Sequence, residues 1–395
     1  MKRILAWCLF DFANSAYSAV IVVAVFSVYY MSHIVGNEHG LGDLWWGRAI
    51  SASLLLVVMT GPVLGALADR HGLRKRLFIA FTALCITCIA LFTTLLPGMV
   101  LRGFALIALA NFGFESSQIY YNAYLPDIAP ADRLGAVSGL GFAIGYLGSI
   151  VGLVVALPLV NSQQFNLLWL LVAGFFAVFS LPAFLALPPD RPQPEKRVDL
   201  VRVLRDVLGN APLRRFLLAF FLYFDGVETT IVFSGSFAAT TLHFAATDLI
   251  KLFIAVQFSA LAGALLLARP TDRWGAKRVI SLTLLLWIGV SIGAYLAQTK
   301  PTFVAVAVTA GLGLGSIQAA SRAFMASLIP RGKESELFGF YALCGKSSSI
   351  LGPLVFGEVS RRLAGNQRAA VAAVGVFFIV GLLLLQRVRS ASPAT

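Results

Sequence analysis

Five ionisable side chains lie inside long apolar runs: Asp11, Glu115, Asp225, Glu228 and Lys346. A charge at the centre of a membrane-spanning helix costs about 2.5–3.5 kcal/mol on insertion scales, so each needs a reason. One reason is chemical. Carboxylates in low dielectric can hold an ammonium group or take up a proton, because burial and like-charged neighbours both favour the neutral acid. Lys346, or Arg322 nearer the end of its run, can hold a carboxylate. The other reason is structural: a buried pair or hydrogen-bonded anchor that fixes helix packing. Asp11 suits that role, since it lies about 10 Å deep at about 1.5 Å per residue and has Asn14 as a local partner. Arg322 is close enough to a helix end to snorkel.

Spacing sorts these residues into stripes. Asn111, Glu115, Gln118 and Asn122 step by 4, 3 and 4, which puts them on one helical face. Gly311, Gly315, Gln318 and Arg322 form the matching stripe 200 residues on. Asp11, Asn14 and Ser18 share a face near the N-terminus, and Asp225, Glu228 or Thr229, and Ser236 share another.

Other chemistries find no support. Cys85-Ile-Thr-Cys88 has redox or metal spacing but sits in an apolar run without a neighbouring His or carboxylate, which reads as packing. His33, His39, His71 and His243 are scattered and form no ligand pattern, so no metal site is expected. No phosphate-cradling Gly-x-x-x-x-Gly-Lys-Ser/Thr loop occurs, which argues against an ATP-driven pump. No nucleophile–base set is visible, and no cofactor is called for.

The elements that must position the stripes follow from composition. Of 395 residues, 58% are hydrophobic and 12% charged, and mean hydropathy is +0.84. A soluble domain carries about 25% charged residues, so a soluble enzyme and a disordered chain are both excluded. Runs long enough to span a membrane occur at 4–33, 47–68, 77–96, 99–124, 135–160, 165–187, 213–242, 249–268, 279–298, 302–325, 336–359 and 368–386. The expected fold is all-α, with twelve transmembrane helices in two six-helix bundles. The first run is too long for a cleaved signal, and no small-x-small site follows it. Trp45, Trp46, Tyr29 and Tyr30 read as an interfacial belt.

Twelve spans put both termini on one side. If that side is cytoplasmic, its segments hold 22 Lys and Arg against 7 outside, as the positive-inside rule requires. The formal charge of +13 then needs no nucleic acid. Residues 188–212 form the one real linker. Four prolines open it, and Leu200, Leu204, Val207 and Leu208 then recur at helical spacing, as in an amphipathic helix on the membrane surface. The linker separates a bundle at 1–187 from one at 213–395. The halves repeat each other: eight of the 35 positions from 118 to 152 are identical at an offset of 200. Asp69-Arg-His-Gly72-Leu-Arg74-Lys-Arg76 also recurs as Asp272-Arg273-Trp-Gly-Ala-Lys-Arg278. Six plus six in the same sense is an organisation of transporters.

These two loops resemble the signature of the major facilitator superfamily. The fuller copy, Gly65-Ala-Leu-Ala-Asp69-Arg70-His-Gly72-Leu-Arg74, implies a gating latch between the halves, with Asp272 and Arg273 in the second copy. Read without the family, the loop is a topology-setting basic turn whose charges face anionic lipid headgroups. Asp11-Phe-Ala-Asn14-Ser-Ala-Tyr17, Tyr121-Asn-Ala-Tyr-Leu-Pro-Asp127, Leu222-Tyr-Phe-Asp225-Gly-Val and Phe338-Gly-Phe-Tyr-Ala-Leu-Cys-Gly-Lys346 are similar to one subfamily. It is the autophagy-related vacuolar amino-acid effluxer family with its bacterial relatives. The chain lacks the Arg-x-x-Gln-Gly pattern of proton-coupled relatives on its fourth helix. It also lacks the Gly-Pro pair of the antiporter signature on its fifth, where Gly141, Gly145, Gly148 and Gly152 form a packing stripe. In the superfamily, helices 1, 4, 7 and 10 line a central cavity, and all four carry polar stripes here.

The expectation is a secondary transporter, with protons as the default coupling ion. Glu115, Asp225 and Glu228 would hold an ammonium and Lys346 or Arg322 a carboxylate, with Asp11, Asn14, Gln118, Asn122 and Gln318 around them. That charge inventory suits a small zwitterion, and the resemblance implies an amino acid. A lipid or amphiphile transporter of the same fold is the alternative. A non-transporting membrane sensor is the alternative of another class. The partners expected are the solute, protons and membrane lipids. A bacterial inner membrane and a monomer are the expected setting and state.

Overall fold

The computed structural model describes residues 1–36, 41–190, 205, 207–242, 244, 246–348, 351–362 and 367–388. Among them all regular structure is helical. The first six helices are α1 (Lys2–Val35), α2 (Leu41–His71), α3 (Arg74–Leu91), α4 (Val100–Ala123), α5 (Leu134–Asn161) and α6 (Phe165–Ala186). Then come α7 (Ala211–Thr241), α8 (Ala246–Trp274), α9 (Ala276–Leu296), α10 (Lys300–Leu328), α11 (Glu334–Ser348), α12 (Leu351–Arg362) and α13 (Gln367–Gln386). Hydrocarbon offers no partner for backbone N–H and C=O, so a spanning segment must bond its own backbone.

Among the described residues, nine helices are long and apolar enough to cross a membrane: α1, α2, α3, α5, α6, α8, α9, α10 and α13. The remaining expected spans are also helical, as α4, α7 and the successive pieces α11 and α12. Glu115 and its polar neighbours lower the hydropathy of α4, α7 carries Asp225 and Glu228, and α11 and α12, at 15 and 12 residues, are each shorter than a spanning helix. The amphipathic stretch expected at 200–208 falls largely outside the described residues.

Contacts divide the chain into two compact units. One comprises residues 1–129, 144–198 and 330–340, and the other 130–143, 199–329 and 341–395. This grouping departs from a single cut at the linker in two places. The start of α5 groups with second-half helices, and the start of α11 with first-half helices. In the first unit α3 packs on α4, α1 on α6 and α2 on α4; in the second, α8 packs on α10, α7 on α13, and α9 on both α10 and α13.

Lipid is as apolar as leucine, so helices gain by close approach through small residues rather than by escaping water. The α5 stripe does this against α1. A methyl at Gly148 would overlap the Phe12 carbonyl, and one at Gly152 would come 3.0 Å from Ala16 Cβ. Gly311 and Gly315, expected within a polar stripe, instead press on α8. A methyl at Gly311 would meet the Val256 carbonyl at 2.6 Å, and one at Gly315 would overlap that of Ala260. Cys85 and Cys88 are buried free thiols in the α3 packing surface. The aromatic belt is narrower than expected. Trp45 and Trp46 are half-buried, but Tyr30 is fully buried, and its hydroxyl donates to the Val100 carbonyl at 2.9 Å. A buried hydroxyl needs an acceptor, and the start of α4 supplies one.

Candidate functional site

Both Asp-Arg-x-Gly loops build the same device. Gly72 and Gly275 turn the chain at φ +63° and +89°, a conformation that glycine adopts without steric cost. This lets each preceding aspartate project from the end of its helix. Asp69, at the end of α2, accepts the amides of Ser335 (3.2 Å) and Glu336 (2.9 Å). Asp272, at the end of α8, accepts those of Gly135 (2.6 Å) and Ala136 (2.8 Å). Each carboxylate thereby caps the N-terminus of another helix, α11 or α5, where unpaired amides and the helix dipole favour an anion. Gly65 permits the approach: a methyl there would lie 2.5 Å from the Ser335 carbonyl oxygen.

The two clasps differ in charge. Arg74, the first residue of α3, joins Asp127 (2.6 Å), Glu334 (2.9 Å) and Asp69 (3.3 Å). It also donates to Ser335 Oγ at 2.9 Å and lies 5.3 Å from the Tyr124 ring centroid. In the second clasp Lys277, five residues after Asp272, stands where Arg74 stands after Asp69, and Lys277 and Lys75 both serve another purpose. Lys75 Nζ donates to the Leu187 carbonyl just past α6, and Lys277 Nζ to those of Gln386 and Val388 around the end of α13. Each cation meets the negative end of its half's last helix. Asp190 caps α3 by accepting the Lys75 amide at 2.8 Å. Half-burial pushes its carboxyl above the ordinary range, opposed by that amide and by Arg74. Among the described residues Arg70 stands apart from the ion pairs, with its Nε buried and without a hydrogen-bond partner, and Arg273 is exposed.

Sequence reading missed Lys75, Lys277, Asp127, Glu334 and Ser335. A signal for some of them existed. Asp127 closes the Tyr121 motif, and Glu334 and Glu336 flank a helix start, where acidic residues are favoured.

Within the first unit, the intramembrane polar residues divide by exposure. Asp11 and Asn14 are buried, and Asn14 Nδ2 donates to Asp11 Oδ1 at 3.3 Å where α1 meets Gly145 of α5. Asn111 is buried too, donating to Ser53 Oγ at 2.7 Å, which pins α4 to α2. Glu115, Gln118 and Asn122 lie further along α4 and remain partly exposed.

The second unit divides the same way. Glu228, Gln318 and Lys346 are partly exposed. Asp225 is fully buried, with Oδ2 accepting the Gly352 amide at 2.8 Å. Arg322 does not snorkel. It is 3% exposed, with Nε donating to Ser138 Oγ (2.9 Å) and Nη2 to the Ser138 carbonyl (2.7 Å), and its guanidinium lies 4.0 Å from the Phe142 ring centroid. A guanidinium carries five donors in a fixed fork, and the start of α5 offers it acceptors and an aromatic face.

Two family models match the chain. One is described as "Vacuole effluxer Atg22 like" and covers residues 131–392; the other, "Major Facilitator Superfamily", covers residues 4–253. An MFS-type transporter of Bacillus subtilis (strain 168), YxiO, is 28% identical over 96% of this chain and 93% of its own. Autophagy-related protein 22 of Yarrowia lipolytica is 23% identical over 85% of this chain and 74% of its own. The proton:xylose symporter XylE superposes with a TM-score of 0.76 at 12% identity, over 98% of this chain and 95% of its own. With each model matching more than half its length, the chain belongs to the Major Facilitator Superfamily of membrane transporters and, within it, to the Atg22-like vacuole effluxer family.

Proposed function

We propose that this transporter moves a small zwitterion, such as an amino acid, coupled to protons, by exposing a mid-membrane site to each side in turn. The observation that carries the reading is the part-exposed set of both signs in helix interiors: Glu115 and Glu228 with Lys346. An ammonium suits the carboxylates and a carboxylate suits the lysine, while Gln118 and Asn122 on α4 and Gln318 on α10 offer neutral hydrogen bonds. With no nucleotide-binding loop in the sequence, the driving force is a solute or ion gradient. In the cycle, the clasps at Asp69 and Asp272 act as latches that open and re-form. Both termini and the 188–212 linker face the cytoplasm, the membrane is a bacterial inner membrane, and the monomer is the working unit.

The test is a thermal-shift screen of purified protein against zwitterionic and non-zwitterionic metabolites. Flux in liposomes with and without a pH gradient then follows for each hit. Binding confined to non-zwitterions overturns the substrate class. Flux that ignores the gradient overturns the coupling.

A further inference from the structure

We infer that Asp225 is a closed proton site, separate from the residues that meet solute, and that its charge sets how firmly α7 holds α12. The inference rests on the proton-coupled reading above and names the residue and the helix through which coupling acts. Asp225 lies in the middle of α7 and is 0% exposed. Its Oδ2 accepts the Gly352 amide at 2.8 Å, near the start of α12. Its Oδ1 and the buried Oγ1 of Thr229, one turn on, approach each other without completing a hydrogen bond of ordinary geometry, and neither has another partner. Both orphan oxygens face Gly352 Cα. A methyl there would lie 2.8 Å from Oδ1 and collide with Oγ1.

An ionised carboxylate out of water is costly unless paired and fully hydrogen-bonded. One amide is partial compensation. The charge acting on Asp225 from its own helix is Glu228, of like sign. On α11 the charge nearest Gly352 in sequence is Lys346, six residues before it. On α12, Glu358 and Arg362 pair with each other at 2.6 Å. From α13, Phe377 and Phe378 meet α7 at Gly226. From α10, Ser321 bonds Tyr223 and Arg322 bonds Ser138. Among the described residues none of these forms an ion pair with Asp225, so the site calls for a cation. Hard metal cations take about six oxygen ligands, whereas two orphan oxygens stand here in a space too tight for a methyl. A proton fits.

The step is simple. A proton from water bonds to Oδ1, and the carboxyl becomes neutral with Thr229 Oγ1 beside it as acceptor; release returns the proton to water. The ionised form grips the Gly352 amide more strongly, because charge-assisted hydrogen bonds are the stronger ones and a helix start favours an anion. Proton uptake therefore loosens α7 from α12.

Infrared difference spectroscopy of the purified protein across a pH jump reads the neutral-carboxyl band directly. The band is expected in the wild type and absent in Asp225→Asn; a titrating band that survives there overturns the assignment. Thr229→Val keeps the carboxyl and should shift the band's frequency, while an unshifted band likewise overturns it. In liposomes, Asp225→Asn should lower pH-driven uptake about tenfold and leave exchange at equal pH within about twofold, the scale of a typical coupling energy. If a gradient drives flux in Asp225→Asn as in wild type, this assignment fails and the transport reading stands. If wild-type flux ignores the gradient while the Asp225 band still titrates, the coupled reading fails and the proton site stands.

Discussion

Arg74 is the residue on which the first clasp turns. Its side chain is 11% exposed, and two of its partners, Asp69 and Glu334, are 5% and 6% exposed. Removing one member of a buried ion pair costs about 3–5 kcal/mol, mainly because the remaining charges stay buried and unpaired. Arg74→Gln should therefore lower the thermal unfolding temperature in detergent substantially. Asp127 is 40% exposed, so Asp127→Asn should cost about 0–1 kcal/mol, as exposed pairs do. Equal losses for the two variants in a denaturation series would show that burial does not rank these contacts. Asp69 makes a separable prediction. Asn retains one acceptor for the Ser335 and Glu336 amides but loses the charge that favours the start of α11. Asp69→Asn should reduce the maximal transport rate and leave the half-saturating concentration unchanged. An altered affinity with an intact rate would exclude the latch role.

Among elements, the α1–α5 seam is held by absence of side chain. Gly148 stands where a methyl would overlap the Phe12 carbonyl, whereas Gly174 on α6 has nothing within 4 Å of such a methyl. Gly148→Ala should destabilise by about 1–3 kcal/mol through overpacking. Gly174→Ala should stabilise by about 0.5–1 kcal/mol, since alanine loses less backbone entropy in a helix. Thermal melts of the two variants against wild type check both signs. The glycine spacing of 4, 3 and 4 on α5 was legible as a packing stripe. The same spacing on α10 misled, because Gly311 and Gly315 share a helix with Gln318 and Arg322 yet face α8. Spacing gives the face of a helix, not the neighbour that covers it.

For the whole molecule, the distribution of Lys and Arg gives an orientation that can be checked. The 22-to-7 division is the ground for proposing that both termini and the 188–212 linker are cytoplasmic. Reporter fusions at either terminus should be active only as cytoplasmic reporters, and an external signal at one end would reverse every depth assigned above. The two clasps add a second consequence. Among the described residues the first clasp alone holds ion pairs, through Arg74, so charge substitutions should affect the two ends of the repeat unequally despite their common motif.

Helical spans and the paired Asp-Arg-x-Gly turns were determined by sequence alone. Each is local: an apolar run must satisfy its own backbone, and a glycine at positive φ is required by the turn itself. Tertiary structure alone decided what those turns hold. Asp69 meets Ser335 across 266 residues of sequence and Asp272 meets Gly135 across 137, distances over which no periodicity carries information. It also divided residues that the sequence could only group by type. Asp225 and Glu228 are both carboxylates one turn apart, yet one is sealed against Gly352 and the other is partly exposed. The difference arises because burial depends on which neighbouring helix approaches which side of the turn, and that is a property of packing rather than of spacing.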